Sequence, residues 1–394
     1  MKKRIYLDNA ATTRVDPEVA RTIYNTMLDV YGNPSGKYYE GEIAKEIVEG
    51  AQNAAMDFLG AFNGRVIFTA SGSEANNIAV AVTVFGVRGF YTDPIEHKSI
   101  SRLTDDYKVK IDDNGIVDLD ALEDVLADAE PKSLVSIQYA NNEIGTIQPI
   151  EDIVNIVHTY GCYLHCDCTQ ALYLCRDVIK DYEIDILTTS FHKWHCPKGI
   201  GMIYIGDHVD IKPELAPILG GQQGYGIRPG TENIPYIAGV KYMFDHFDTI
   251  NNKQRLYQLG VKRDYLFSRI KREIEDIKVN GPSSNSPFTT SRLTNNLNIS
   301  FKNVDAEGLL AMLDADGICV SAGSACNSES FDPSHVLKAI HVPNEYIFGA
   351  IRFTVGDDVD FKDLNYVVEC LKKHVKTLRE LTAEMNGEVV VPLG

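Results

Sequence analysis

Ile186-Leu187-Thr188-Thr189-Ser190 runs directly into Phe191-His192-Lys193 and then into a Pro197-Lys198-Gly199 turn. The short run of aliphatic and β-branched residues, punctuated downstream by Pro and Gly, reads as a buried strand that delivers a lysine just past its carboxyl end. Upstream, Tyr163-Leu164-His165-Cys166-Asp167 has the same character and ends on a carboxylate. Further runs lie at Arg65 to Thr69, Gly89 to Thr92, Ser133 to Gln138 and Gly201 to Ile205, with amphipathic helical stretches between them from about Pro17 to about residue 215. That alternation predicts a doubly wound α/β domain, in which ligands bind beyond the carboxyl ends of the strands. Ser71-Gly72-Ser73, Glu96-His97, Asn141-Asn142, Asp167 and Lys193 all fall at or just after strand ends, so they converge on one rim.

A glycine-rich stretch from Gly220 to Gly230 separates this sheet from a helical connector over roughly Ile234 to Glu275. Beyond it come a strand at Asn296 to Ser300, a helix from Asp305 to Ala315, a loop rich in Gly and Ser, and a final helix from Asp363 to about Met385. These elements predict a smaller α+β domain made of residues 1–15 and 256–394, beside a large α/β domain of residues 16–255.

At 394 residues and 44% apolar content the chain can bury a substantial core. Its formal charge of −17 opposes binding to a phosphate backbone and favours basic protein partners, so direct nucleic-acid binding is not expected. Met1-Lys2-Lys3-Arg4 is basic, but the polar run Asp8 to Thr13 follows where a signal peptide needs apolar residues. No stretch approaches the roughly 18 apolar residues of a membrane span. A cytoplasmic protein is expected. Eight cysteines in a chain of this length suit free thiols in a reducing compartment. Cys162, Cys166, Cys168 and Cys175 lie close in sequence, yet strand alternation turns Cys166 and Cys168 away from His165 and Asp167, which predicts core thiols rather than metal ligands.

A lysine after an Asp-containing strand is the pairing that holds pyridoxal 5'-phosphate (PLP): the amine forms a Schiff base, and the carboxylate keeps the pyridinium protonated as an electron sink. Ser71-Gly72-Ser73 follows a strand and opens a helix; it can cradle the phosphate with backbone N–H groups, or serve simply as a serine N-cap. Ser190, His192 and Thr231 are further phosphate candidates. His97 is placed to stack on the ring and shuttle protons. Asn142 and Gln170 are amides suited to a ring hydroxyl or a substrate carboxylate, and Arg352 is a candidate carboxylate clamp. Cys326, in Gly323-Ser324-Ala325-Cys326-Asn327-Ser328, sits among small residues as a mobile nucleophile requires, whereas Cys319, in an apolar run, is expected to be buried.

Taken together, these segments resemble the cysteine desulfurases, PLP enzymes of the class V aminotransferase group with fold-type I architecture. The resemblance runs through Tyr6 to Thr13, Gly32 to Ser35, Ser71 to Asn77, Glu96-His97-Lys98, Asn141 to Gly145, His165 to Gln170, His192-Lys193, Pro197-Lys198-Gly199, Arg228 to Thr231 and Gly323 to Cys326. Ala325 to Ser328 with Asp332 to Leu337 is similar to the long-loop subgroup, which serves iron–sulfur assembly or tRNA thiolation. The resemblance implies Lys193 as the Schiff-base lysine, Asp167 on the pyridinium nitrogen and His97 on the ring face. It implies Gly72, Ser73, Ser190 and His192 on the phosphate, with Thr231 supplied by the second subunit of a homodimer. Asn142 and Gln170 would meet the ring hydroxyl, and Asn33, Asn142 and Arg352 the substrate. The implied reaction converts L-cysteine to L-alanine, leaves sulfur on Cys326 as a persulfide and passes it to an acceptor protein such as an iron–sulfur scaffold or a tRNA-thiolation enzyme. A selenocysteine or cysteine-sulfinate lyase, or a non-catalytic sulfur-relay or metal-binding relative, are the alternatives. The chain departs from the pattern at Phe191 and Cys196, where relatives commonly carry Gly; with Trp194 these give the lysine loop a bulk that bears on substrate fit. The stretch Gly220 to Gly226 also lacks a Glu and an Arg that relatives carry.

Overall fold

The computed structural model describes residues 3–106, 108–174, 182–250, 253–282, 291–322 and 332–385. After a two-residue strand, β1 (Ile5–Tyr6), the chain builds a six-stranded sheet from β2 (Arg65–Thr69), β3 (Phe90–Thr92), β4 (Leu134–Ser136), β5 (Tyr163–Asp167), β6 (Ile186–Ser190) and β7 (Gly201–Ile205). The order is β2-β7-β6-β5-β4-β3. β3 to β6 are mutually parallel, and β7 runs antiparallel to both of its neighbours. The expected strands over Gly89 to Thr92 and Ser133 to Gln138 are shorter than their apolar runs. Because β2 points the same way as β6, Thr69, Thr92, Ser136, Asp167 and Ser190 end at one edge of the sheet. Gly201 begins β7 there, opposite both Thr69 and Ser190.

The two faces of the sheet are written in the period-2 alternation of its strands. Ile67, Tyr163, Ile186, Ile203 and Ile205 pack under the helix Gly72–Thr83 through Ala75, Ile78, Ala79 and Val82. Val66, Leu164, Cys166, Leu187 and Met202 face the other way, into the core that holds the helices Tyr39–Leu59 and Ile234–Asp245. Cys162 and Cys168 are buried in that core as well. Among the described residues no three His, Cys, Asp or Glu side chains are grouped to hold a metal ion. No described helix is long and apolar enough to cross a membrane.

The bulky residues of the lysine loop belong to this same core. Phe191 and Trp194 are fully buried, with ring centroids 5.4 Å apart, and Trp194 lies 5.6 Å from Phe58 and 6.0 Å from Phe244. They fill the space behind the turn, and Lys193 faces the opposite side. Cys196 is buried with them, and burial pushes its thiol pKa up, which makes it a poor thiolate.

Past the helix Lys253–Glu273, an antiparallel sheet of order β11-β12-β9-β8 forms from β8 (Ile277–Val279), β9 (Asn296–Phe301), β11 (Ser321–Ala322) and β12 (Ala350–Thr354), while β10 (Ile318–Cys319) pairs in parallel with β1. Ile5 and Leu7 join Leu266, Leu297, Phe301, Leu309, Phe353 and Leu371 in a second hydrophobic core, which includes the helices Ala306–Ala315 and Phe361–Met385. Cys319 was expected to be buried and is partly exposed. Its strand is two residues long and bonded only to β1 among the described strands, and its Sγ accepts from Arg4 Nη2 at 3.2 Å.

At the sheet edge opposite the rim, the buried Asp185 carboxylate takes the Leu164 N–H at 2.6 Å and bonds His158 Nε2 at 2.9 Å and His208 Nε2 at 2.5 Å. The bond to Asp185 raises the pKa of His158 above its ordinary value, against the opposing effect of partial burial. A raised folded-state pKa contributes stability that is complete below the ordinary histidine pKa of roughly 6.5 and fades as pH rises through the raised value. The melting temperature of wild type is therefore expected to exceed that of His158→Gln at mildly acidic pH and to converge on it as pH climbs. A difference that stays constant with pH would mean the charge on His158 contributes nothing.

Candidate active site

Each residue at the rim is set by an element end. Ser71 caps the helix Gly72–Thr83, its Oγ accepting the Glu74 N–H at 3.1 Å, so the serine N-cap forms as one of the two readings of this segment. The cap satisfies one first-turn donor; the amides of Gly72 and Ser73 belong to the same turn, where no intrahelical acceptor exists, and both residues line the cleft. Close approach requires glycine at one point and leaves little room for a side chain at a second. A Cβ on Gly201 would fall 2.6 Å from the Ser71 carbonyl carbon, and one on Gly72 would reach 3.1 Å from Ser190 Cβ and 3.4 Å from Thr169 Oγ1. The first lets β7 pass beneath the helix start, and the second keeps open the space between that start and the end of β6.

The cleft has a volume of about 140 Å³ and gathers Gly72, Ser73, His97, Asn142, Asp167, Gln170, Ser190, His192 and Lys193. Asp167 ends β5 at its floor and is 7% exposed. Burial opposes its charge, yet bonds from Thr169 N at 2.9 Å to Oδ1 and from Asn76 Nδ2 at 2.8 Å to Oδ2, with His97 nearby, hold its pKa below the ordinary value. An anion kept ionised at this depth suits a cationic ring nitrogen. Burial lowers the pKa of His97 despite Asp167, so the imidazole is neutral. Ser99 N donates to its Nδ1 at 3.2 Å, which assigns the ring proton to Nε2.

Lys193 closes the one-turn segment Phe191–Lys193 that follows β6. The N-terminal arm holds that turn in place: Thr13 N and Oγ1 both donate to the His192 carbonyl at 2.9 Å, and Thr13 Oγ1 accepts from His195 N at 2.8 Å. His192 Nδ1 meets Thr12 Oγ1 at 3.1 Å, and burial, with Lys193 and Lys198 close by, pushes its pKa down to about 4, leaving it a neutral donor or acceptor. Gln170 Nε2 donates to the Ala10 carbonyl at 3.0 Å.

The remaining candidates lie elsewhere. Arg352 is buried on β12, with Nη2 on Asp8 Oδ1 at 2.6 Å, Nη1 on the Asn142 carbonyl at 3.1 Å, and Nε buried without a partner. It reaches the cleft through the backbone of Asn142. Asn33 and Thr231 are exposed, and Asn33 Oδ1 accepts from Ser35 N at 2.9 Å in a local turn. Cys326 lies outside the described residues. Conversely, Asn76, Gln138 and Thr169 line the cleft without having been singled out. Asn76 had a signal: it is the polar member of the buried helix face formed by Gly72, Ala75 and Ala79.

The donors present fit PLP: first-turn amides beside Ser190 and His192 for a phosphate, an ionised Asp167 for the ring nitrogen, a neutral imidazole at the cleft wall and a lysine within the same lining. The model of the aminotransferase class-V family matches residues 5–367. A cysteine desulfurase (IscS) of Dictyoglomus turgidum is 35% identical over 97% of both chains, and a cysteine desulfurase of Trichormus azollae is 37% identical over 98% of this chain and 96% of its own. Among solved structures, a NifS-like protein from Rickettsia africae superimposes with a TM-score of 0.83 at 28% identity, over 95% of this chain and all of that one. The lysine at the strand end, the ionised aspartate and the helix-start cradle therefore have a single family context, and the chain belongs to the PLP-dependent cysteine desulfurases of the class V aminotransferase family.

Proposed function

We propose that Lys193, Asp167, His97 and Cys326 divide the work of converting L-cysteine to L-alanine. The observation that carries this reading is the meeting of Lys193, the ionised Asp167 and the neutral His97 in one cleft at the start of the helix Gly72–Thr83. When bound, PLP supplies a sink for the electron pair left at the substrate Cα. Lys193 Nζ tethers the cofactor between turnovers and takes, then returns, the Cα proton. Gly72, Ser73, Ser190 and His192 hold the phosphate, Asn142 and Gln170 the ring hydroxyl, and Asp167 the ring nitrogen. Asn33, Asn142 and Arg352 orient the substrate, with Arg352 acting from behind Asn142. His97 would stand at the face of the ring, and its Nε2–H would donate to the substrate sulfur, the thiol-proton role its tautomer leaves open.

The Cys326 thiolate attacks the substrate sulfur. The carbon–sulfur bond breaks, its electron pair returns to carbon, and protonation gives alanine while Cys326 keeps the sulfur as a persulfide. An acceptor thiol on a partner protein, an iron–sulfur scaffold or a tRNA-thiolation enzyme, then takes that sulfur; the chain's excess of acidic residues favours a basic docking face on the partner. A homodimer belongs to the same reading. Leu215, Ile218, Leu219 and Tyr225 are exposed beside the segment that carries Thr231, an apolar surface suited to a second copy. The large and small domains meet at residues 15–16 and 255–256 in this reading, supported by the separate core around Leu297 and Phe353. Free thiols and a reducing cytoplasm complete it.

Purified protein given L-cysteine is expected to release alanine and to carry a protein-bound persulfide, with both lost together in Cys326→Ala. Equal alanine release from the variant would favour a lyase.

A further inference from the structure

Asn76 is 1% exposed, and every polar atom of its side chain is committed. Nδ2 donates to Asp167 Oδ2 at 2.8 Å and to Ser99 Oγ at 2.8 Å. Ser99 Oγ lies 2.7 Å from His97 Nδ1, which already accepts the Ser99 N–H, so the hydroxyl proton points at the imidazole and its lone pair receives Asn76. On the other side Asn76 Oδ1 accepts from Thr188 Oγ1. Thr188 in turn receives His165 Nε2 at 3.0 Å, and His165 Nδ1 meets Ser136 Oγ at 2.8 Å. Burial pushes the pKa of His165 down to about 4, so this imidazole is neutral and passes one direction of donation along the chain. Ser136, His165 and Thr188 are fully buried, Ser136 at the end of β4 and His165 and Thr188 in the middle of β5 and β6.

The donors thus run in one sense, from Ser136 through His165 and Thr188 to Asn76, where the chain forks to Asp167 and, through Ser99, to His97. A flipped Asn76 amide would set its oxygen against the Asp167 carboxylate and its nitrogen against the Thr188 donor, so the network permits one orientation.

We propose that Asn76 is a positioning residue that ties the ring-nitrogen carboxylate and the ring-face imidazole together, fixing Asp167 in its ionised form and His97 in its Nε2–H tautomer through one amide. The inference rests on the roles given above to Lys193, Asp167 and His97. Around His97 the charged and titratable neighbours are Asp167 from β5, Lys193 from the turn after β6, His335 from the helix His335–Ala339 and Lys98 from its own turn. Asp167 is faced by His97 and by the buried Glu96.

Three variants of the PLP-loaded protein test it: Asn76→Leu, which keeps the branched shape and removes the amide; Ser99→Ala, which cuts the His97 branch; and Ser136→Ala, which breaks the chain two links away. Asn76→Leu is expected to weaken PLP binding about tenfold, as losing one hydrogen bond to a charged group does, and to shift the pH midpoint of the visible absorbance. Ser99→Ala is expected to retain PLP affinity while the acid limb of the pH profile for alanine formation moves to higher pH, because neutral His97 has lost a donor to Nδ1. Ser136→Ala is expected to lower the melting temperature and leave the absorbance titration unmoved. If Asn76→Leu loses melting temperature alone, with PLP affinity and absorbance midpoint equal to wild type, Asn76 is merely structural and the proposal is overturned. A Ser99→Ala profile superimposable on wild type overturns it equally, and decides the matter if Asn76→Leu does not fold. Failure of the underlying reading looks different: wild type would then give no visible band with PLP, or borohydride reduction would leave no PLP adduct on Lys193, and both readings would fall.

Discussion

Lys193→Ala is expected to lower alanine formation from L-cysteine by about 10²–10⁴-fold, the range for removing a positioned proton-transfer group. The loss is expected on kcat, because in the proposed reaction the lysine acts on the Cα proton after the substrate has entered. The proposed cradle at Gly72 and Ser73 and the Asp167 carboxylate remain, so the variant is expected to retain PLP noncovalently. The variant is expected to fold, because the turn is also held by Thr13 on the His192 carbonyl and by Phe191 and Trp194 in the core, and its melting temperature reports what the amine adds. Single-turnover alanine release and equilibrium PLP binding check the two halves separately. Unchanged kcat in the variant would remove Lys193 from the chemistry.

Asp167→Asn is expected to have the second largest effect, about 10²-fold or more in kcat, because a preorganised charge in a water-poor site is exchanged for a neutral amide where charge develops. Asn keeps the shape of the side chain. Its Oδ1 can still accept from Thr169 N, but its Nδ2 would face the Asn76 amide, donor against donor. The variant therefore pays twice, in the electronics of the bound ring and in one unsatisfied buried contact, and PLP affinity falls together with kcat. The visible absorbance of the loaded variant is expected to respond to pH differently from wild type, since no fixed anion keeps the ring nitrogen protonated. A variant with normal absorbance, affinity and kcat would show that Asp167 does not face the ring nitrogen.

Much of this site is legible in residue order because doubly wound sheets place chemistry where apolar runs stop. Asp167 ends β5, Lys193 follows β6, Ser71 to Ser73 follow β2, and these segments meet in the cleft. The direction of β7 is not legible: a strand of five residues such as Gly201–Ile205 carries no mark of whether its partner runs parallel, and pairing on both sides decides it. The side on which Phe191, Trp194 and Cys196 pack is hidden for a related reason. A one-turn segment after a strand turns successive side chains to different sides, and bulk next to Lys193 in sequence became core behind it in space. Asn76 is marked in residue order only as a polar member of an otherwise small, apolar helix face. Its importance comes from Thr188, Ser99 and Asp167, on three other segments. Arg352 is legible as a buried cation on a strand, but its pairing with Asp8 depends on the N-terminal arm crossing to β12, a contact between residues far apart in the chain.

The most direct test of the central claim is to load the protein with PLP, reduce it with borohydride and map the modified peptide by mass spectrometry. The account predicts a covalent PLP adduct on Lys193, absent from Lys193→Ala. An adduct confined to another lysine, such as Lys98 beside His97 or Lys198 in the following turn, or no adduct at all, would contradict it.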